Sequence, residues 1–487
     1  MPSAPRVHPT LDDPVVTALS ESVGGPVGER ATRHPWWTPM RVVLLLTALT
    51  FALGMVQKVQ CYQTSWQDGE VRYSSMCYSD LPYLYTGRGF AELSWPYSDD
   101  AQTRDRYEVM EYPVGIAYWA YGTAWVTHWV AGSPDLEPRY SQPADTLAAD
   151  PDILREMRIF VIVNALGLAL LTLATSAFLV GVNPGRPWDA AGFALAPPLA
   201  LSGIVNWDMI AVVLVAGALW AWSRDRSLLT GILIGLGTAT KLYPLFLLGG
   251  ILVICLRQRR WVSLTNTVAA AVVAWGVVQL PALVSGVGEL GGLAQWKVFW
   301  SFNAGRSADL GSVWLVVTQA TNIAITAHTI NLWSWAFFVL WCAGVLVLGL
   351  GAPRTPRFAQ LGFLIVTGFL LVNKVYSPQY VLWLLPLAVL ARPRWRDLLV
   401  WFAGEVFYFA SVWWYLDGRL TPAGGGDAGF YWMAILLRVL AELYLVAVVV
   451  RDIRRPWRDP VPREVDDVPV DDASVEGEET KAVSVSA

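Results

Sequence analysis

The chain has 487 residues, 55% of them hydrophobic and 15% charged, with a formal net charge of −4. Soluble domains carry about a quarter charged residues. This balance, with apolar runs recurring from Met40 to Val450, therefore excludes an ordinary soluble domain and predicts an all-α, polytopic membrane bundle. The charge pattern suggests no nucleic-acid partner, and what orients such a chain is where its Lys and Arg lie rather than their sum.

Residues 1–40 are polar and read as a cytoplasmic segment, and the first apolar run, Val42 to Val56, lacks a small-residue cleavage site behind it, so it reads as a first span rather than a signal peptide. At about 20 residues per span, with shorter ones where helices break, spans are predicted at 41–56, 113–131, 159–182, 190–205, 207–223, 228–241, 243–256, 262–282, 331–352, 358–373, 379–391, 398–416 and 430–450. Arg224/Arg226, Arg257/Arg259/Arg260, Arg354/Arg357, Arg392/Arg394/Arg396 and Arg451/Arg454/Arg455/Arg458 mark cytoplasmic ends. The junctions between them then face outward: Asn206-Trp207-Asp208, Thr240 to Pro244, a large loop at 283–330, Asn373 to Tyr380, and Asp417 to Gly429. Thirteen spans cannot leave both termini on one side, so one of the thirteen is not a span and the count is 12 to 13. The weakest stretch is 113–205. There 131–158 is polar and fits either side, and Ala196-Pro197-Pro198 interrupts a short helix and makes it a candidate for re-entry. Residues 312–320 are too short to span and read as a surface or re-entrant helix. Trp36, Trp37, Trp261, Trp413 and Trp414 fall at membrane edges, as an interfacial belt does. The transmembrane domain is placed at 41–450, and 451–487 reads as a cytoplasmic tail, acidic and disordered after Arg458.

The loop from Gln57 to Tyr112 is the most informative segment. It carries Asp68, Asp80, Arg88, Asp99, Asp100 and Glu111 among many aromatics. Loops of this length are functional or disordered, and its aromatic content argues against disorder. Cys61 and Cys77 lie in it, while Cys255 and Cys342 lie in apolar segments. On an oxidising side of a membrane the first pair can close a disulfide; otherwise they are free thiols. Four histidines without Cys/His spacing give no support for zinc. The absence of a Walker loop, a dinucleotide glycine fingerprint and a G-x-S-x-G elbow removes support for nucleotide-driven chemistry.

Asp80, flanked by Tyr78, Tyr83 and Tyr85, is the candidate catalytic base, because a partly desolvated carboxylate can accept the proton of an acceptor hydroxyl. The other reading is an Asp capping a helix that begins at Leu81-Pro82. Glu111 lies where the chain re-enters the membrane, either facing the same cavity or complementing a helix dipole. Lys241 and Lys374 each end a short helix ahead of a Pro-led one and are placed to meet an anionic headgroup, or else they snorkel. Arg306 is a third outward cation or a solvated loop charge. Asn206-Trp207-Asp208 and Asp150-Pro151-Asp152 read as helix starts.

The order of these features resembles the integral-membrane glycosyltransferases of the GT-C superfamily. It comprises an Asp after the first span in a long outer loop, a Tyr-Pro leading onward, Asn-Trp-Asp, then Lys-Leu-Tyr-Pro and Asn-Lys-Val-Tyr-Ser-Pro-Gln-Tyr. Within the superfamily it is most similar to the actinobacterial polyprenol-phosphate-mannose-dependent, GT87-like family that carries the domain DUF2029. The resemblance implies a multi-pass plasma-membrane enzyme that moves a sugar from a polyprenyl-phosphate donor to a lipid, glycan or protein acceptor of the cell envelope on the outer face. It implies Asp80 as the base and inversion at the sugar, with Lys241, Lys374 or Arg306 meeting the leaving phosphate; Tyr83, Arg88, Glu111, Tyr376 and Gln379 complete the candidate substrate-binding residues. Cations suffice for the leaving phosphate, so no cofactor is expected and a divalent metal is not required. The competing class is a lipid or polyprenol transporter, since intramembrane charges also mark substrate pathways; matched inverted halves, common in transporters, are not evident.

Overall fold

The computed structural model describes residues 13–23, 35–420 and 428–461, and every regular element among them is a helix. Most of the polar head and of the acidic tail lies outside these residues. Helix α1 (Pro39–Gln57) starts at Thr38, whose side chain accepts a hydrogen bond from Arg41 N, with Pro39 at the first helical position. A long excursion follows, holding α2 (Leu81–Gly87) and α3 (Val114–Val130). Helix α4 (Pro151–Val182) begins at Asp150, which caps it by accepting from Asp152 N at 2.8 Å. At about 1.5 Å per residue its 32 residues exceed the roughly 30 Å of a hydrocarbon core, so its first turns stand clear of the membrane.

The next crossing is broken. Residues 187–202 form a 3₁₀ turn and two short helices around Pro197-Pro198, beginning near the Arg186–Asp189 ion pair and ending beside Asn206. Helices α5 (Asp208–Trp222), α6 (Ser227–Thr238), α7 (Leu247–Gln258) and α8 (Trp261–Leu283) then alternate direction. After α9 (Gly292–Gly305) and α10 (Val313–Thr321), neither of which crosses, the chain completes the bundle with α11 (Ala327–Gly351), α12 (Phe358–Val372), α13 (Val381–Ala391), α14 (Trp395–Leu416) and α15 (Gly429–Arg454).

Six of these helices are long and apolar enough to cross a membrane alone, and five shorter apolar segments lie between them. With the broken 187–202 segment they make twelve candidate crossings among the described residues, six of them helices long enough to cross alone. The Arg-rich junctions gather at one face, and the long loops at the other, here termed the site face.

One expected span is corrected. The stretch 113–131 is not among the membrane-crossing helices. At its start Gly115 N donates to Ala239 O at 2.8 Å, and the segment that follows it is tied to the first long loop, where Arg106 donates to Gln142 O at 2.9 Å and Tyr140 OH to Glu92 O. The chain thus enters α3 from the site face and is held there again after it, which removes the odd span and assigns 131–158 to that face. Its apolar surface packs on α4, where Trp119 sits against Gly167 and donates to Asn164 Oδ1 at 3.0 Å. The stretch 190–205, expected as a span with re-entry as the alternative, is a 3₁₀ turn and two short helices broken at Ala196-Pro197-Pro198.

Burial sorts the helices. Every residue of α13 is buried, as a helix apolar all round requires at the centre of a bundle, whereas α8 and α11 present Val272, Val273, Leu332 and Val339 outward. Helices α6 and α8 touch through backbone: a Cβ at Gly231 or Gly235 would lie 2.2 or 2.3 Å from Thr267 O or Ala271 O, the close approach that small residues four apart permit.

Candidate active site

The site is assembled from the first long loop upward. Residues 57–61 are laced to 75–78: Gln57 donates to Met76 O, Lys58 Nζ to Tyr78 O at 2.9 Å, and Cys61 and Cys77 are joined by a disulfide with Cα atoms 5.8 Å apart. Three residues on, Asp80 N donates to Val205 O at 2.8 Å and Ser79 Oγ to Ile204 O at 2.8 Å, which fixes the loop to the end of the broken crossing. Asp80 precedes α2, yet its side chain makes no capping bond to that helix. Instead its Oδ1 accepts from Tyr78 OH at 2.8 Å, and its Oδ2 from Asn206 Nδ2 at 2.6 Å and Tyr112 OH at 3.3 Å. A carboxylate offers about four acceptor positions, so one on Oδ1 stays open. Burial pushes the Asp80 carboxyl above the usual carboxylate range, against the opposing pull of Tyr78, Asn206, Lys241 and Tyr112.

Asp80 lines a cavity of about 650 Å³ that also takes in Glu111, Lys241, Arg306, Lys374 and Gln379. Part of its wall is aromatic, built of Trp300, Trp335, Phe338 and Phe369. The cations divide into two groups. Lys241 stays near Asp80, with its Nζ 3.3 Å from Asp208 Oδ1 and 5.0 Å from the Tyr112 ring centroid. Lys374 donates to Asn331 Oδ1 at 2.7 Å and Ala304 O at 3.1 Å, and Arg306 forks onto Asp309 Oδ2 at 2.6 Å. Burial, then the nearby Arg306 charge, lower the Lys374 pKa. The loops carrying them are paired: Asp309 N donates to Lys374 O at 2.8 Å and Tyr376 N to Leu310 O at 2.9 Å. Gly311 adopts φ +76°, where a Cβ would lie 2.1 Å from Tyr376 O, so this turn requires glycine.

Three expected contacts are not brought to the cavity wall. Tyr83 stacks on Tyr78 at 5.6 Å and donates to Trp66 O. Arg88 reaches the site only through its 2.7 Å ion pair with Glu111. Tyr376 is core: its ring lies 3.4 Å from the Arg438 guanidinium, which is paired with Glu405, and its OH donates to Glu442 at 2.9 Å. Tyr85 is likewise buried, on Glu156. Trp413 departs from the interfacial belt, being buried against Tyr73 and Tyr78 and lining the cavity, while Trp36, Trp37 and Trp261 are exposed.

Sequence reasoning passed over Tyr112, Asn206, Asp208 and Trp383. Asn206-Trp207-Asp208 is more than a helix start: Asn206 holds Asp80 and Tyr112, and the fully buried Asp208 holds Lys241 and accepts from Trp383 Nε1 at 2.7 Å. The available signal was an Asn and an Asp flanking one Trp at the start of a helix that is otherwise wholly apolar. Among the described residues no three His, Cys, Asp or Glu side chains converge as metal ligands.

The model of glycosyltransferase family 87 matches residues 151–378, a region that contains Asn206, Asp208, Lys241, Arg306 and Lys374 and leaves Asp80 outside it. The match supports a glycosyltransferase. No curated protein matches the chain.

Proposed function

We propose that the protein is an inverting glycosyltransferase of the plasma membrane. It takes a sugar, mannose by family resemblance, from a polyprenyl-phosphate donor and places it on a lipid, glycan or protein acceptor of the cell envelope at the outer face. The observation that carries this reading is one cavity lined both by a buried carboxylate and by two cations on paired loops. The acceptor hydroxyl donates to the open position of Asp80 Oδ1 and loses its proton there as its oxygen bonds the anomeric carbon. The bond from that carbon to the phosphate oxygen breaks through an oxocarbenium-like state, and Arg306 and Lys374 meet the charge gathered on the leaving phosphate. The raised carboxyl pKa suits Asp80 to the work of a base.

Orientation rests on two supports. The Arg clusters gather at the opposite face, which the positive-inside rule assigns to the cytoplasm, and a disulfide on the site face fits an oxidising compartment. The test is transfer of labelled sugar from a polyprenyl-phosphate donor in membranes containing or lacking this chain. Transfer that depends on the chain supports the reading; movement of the donor across the bilayer without transfer would instead identify a transporter.

A further inference from the structure

We infer that Lys241 is a positioning residue for the base rather than a ligand of the donor phosphate: held between Asp208 and Tyr112, it is the counter-ion that keeps Asp80 ionised and aimed. This rests on the reading of Asp80 as the base and adds the group that controls it.

Lys241 closes the Lys-Leu-Tyr-Pro turn after α6 and is buried, with its ammonium 3.3 Å from Asp208 Oδ1 and 5.0 Å from the centroid of the Tyr112 ring. Asp208 is fully buried and further fixed by Trp383 Nε1, and its other oxygen has no hydrogen-bond partner. A buried carboxylate so short of donors holds its one cation strongly, because removing either partner leaves an uncompensated charge. Lys241 is therefore committed, whereas Lys374 is bound by a carbonyl and an amide, both neutral. The ring that Lys241 lies over carries the hydroxyl bonded to Asp80 Oδ2, and Asn206 bonds both that hydroxyl and the carboxylate. The ammonium thus lies on the ring whose hydroxyl bonds Asp80 Oδ2, whereas the open position of the base is on Oδ1.

The titratable groups facing Asp80 come from every element around it: Tyr78 beside it, Tyr83 on α2, Tyr112 ahead of α3, Tyr380 ahead of α13, and Lys241 after α6. Phenols carry no charge below about pH 10. The cation acting on Asp80 is Lys241.

The test is an infrared titration of the Asp80 carboxyl, read as the difference between each protein and its Asp80→Asn counterpart. It is run beside the pH profile of kcat/KM for the polyprenyl-phosphate sugar. Because Lys241→Met alone leaves Asp208 unpaired, the main variant is Lys241→Met with Asp208→Asn, and the second is Asp208→Asn alone. Removing both charges should raise the carboxyl midpoint, and with it the acidic limb of activity, by about one pH unit, and freeing Lys241 from Asp208 should move both downward. Opposite signs cannot come from general damage to the fold. Midpoints unmoved in both variants, with the donor KM raised in the first, would overturn the inference and return Lys241 to the phosphate. A wild-type protein whose carboxyl titrates and shifts as described, yet transfers no sugar, would defeat the enzymatic reading and leave this electrostatic one standing.

Discussion

The two ends of the cavity are built differently. At the Asp80 end the carboxylate, Asn206, Tyr112, Lys241 and Asp208 come from four separated stretches of chain, and each is bonded or ion-paired to another of them. At the cation end Arg306 and its partner Asp309 are three residues apart, each with a side chain 37% exposed, and the loops are joined mainly through backbone. A base must meet the hydroxyl within hydrogen-bond reach, so geometry decides its value. A phosphate with several oxygens can be met by charges that adjust. In the proposed enzyme the Asp80 side is preorganised, and the other side keeps cations that can exchange a loop partner for the donor.

That contrast can be broken from either side, and the largest effect is expected at Asp80. Asp80→Asn keeps the shape and most hydrogen bonds but removes the base, so kcat should fall on the order of a hundredfold to ten-thousandfold in the purified protein, with thermal unfolding unchanged. Retention of more than half the wild-type rate would remove Asp80 from the chemistry. Next is the clamp behind it. Replacing Cys61 and Cys77 by Ser together opens a bridge spanning 16 residues of sequence, at a cost of about 3 kcal/mol to the local fold. Limited proteolysis should then cut within 62–76 before the membrane helices loosen, and unchanged resistance would show that the other ties suffice.

Asn206→Ala strips one hydrogen bond from a charged carboxylate, worth about 1.5 to 3 kcal/mol. It should lower kcat about tenfold to a hundredfold with little change in the donor KM; a change confined to KM would place Asn206 with the donor instead. The smallest effect belongs to the cation end. Lys374→Met keeps the apolar stem and removes the charge, and it should raise the donor KM about tenfold, on the order of 1.4 kcal/mol, while kcat for bound donor changes less. A Lys374 that only braces Ala304 and Asn331 would show instead as lost thermal stability at unchanged KM.

Much of this was legible in the sequence where a single physical signal dominated. Apolar runs and alternating Arg clusters located the crossings, and a lone carboxylate among tyrosines singled out Asp80. What failed was whatever depends on direction. An apolar helix of 17 residues looks the same whether it crosses a bilayer or, like α3, lies along the buried side of a longer helix. Tyr376 and Lys374 share the Asn-Lys-Val-Tyr-Ser-Pro-Gln-Tyr motif of the resemblance, but the chain turns between them and the phenol points to Glu442 while the ammonium lines the cavity. Asn206 and Asp208 make good helix-start residues by composition, and only the approach of residues 78–80, more than 120 positions earlier in the chain, gives them a second role.

The division of labour between the two ends is tested most directly by equilibrium binding of a labelled polyprenyl-phosphate sugar to purified Asp80→Asn protein, with Lys374→Met protein beside it. The Asp80 variant should bind the donor with the wild-type Kd while transferring almost nothing, and the Lys374 variant should bind it about tenfold more weakly. Donor binding lost in the Asp80 variant and kept in the Lys374 variant would contradict a cavity with its base at one end and its phosphate site at the other.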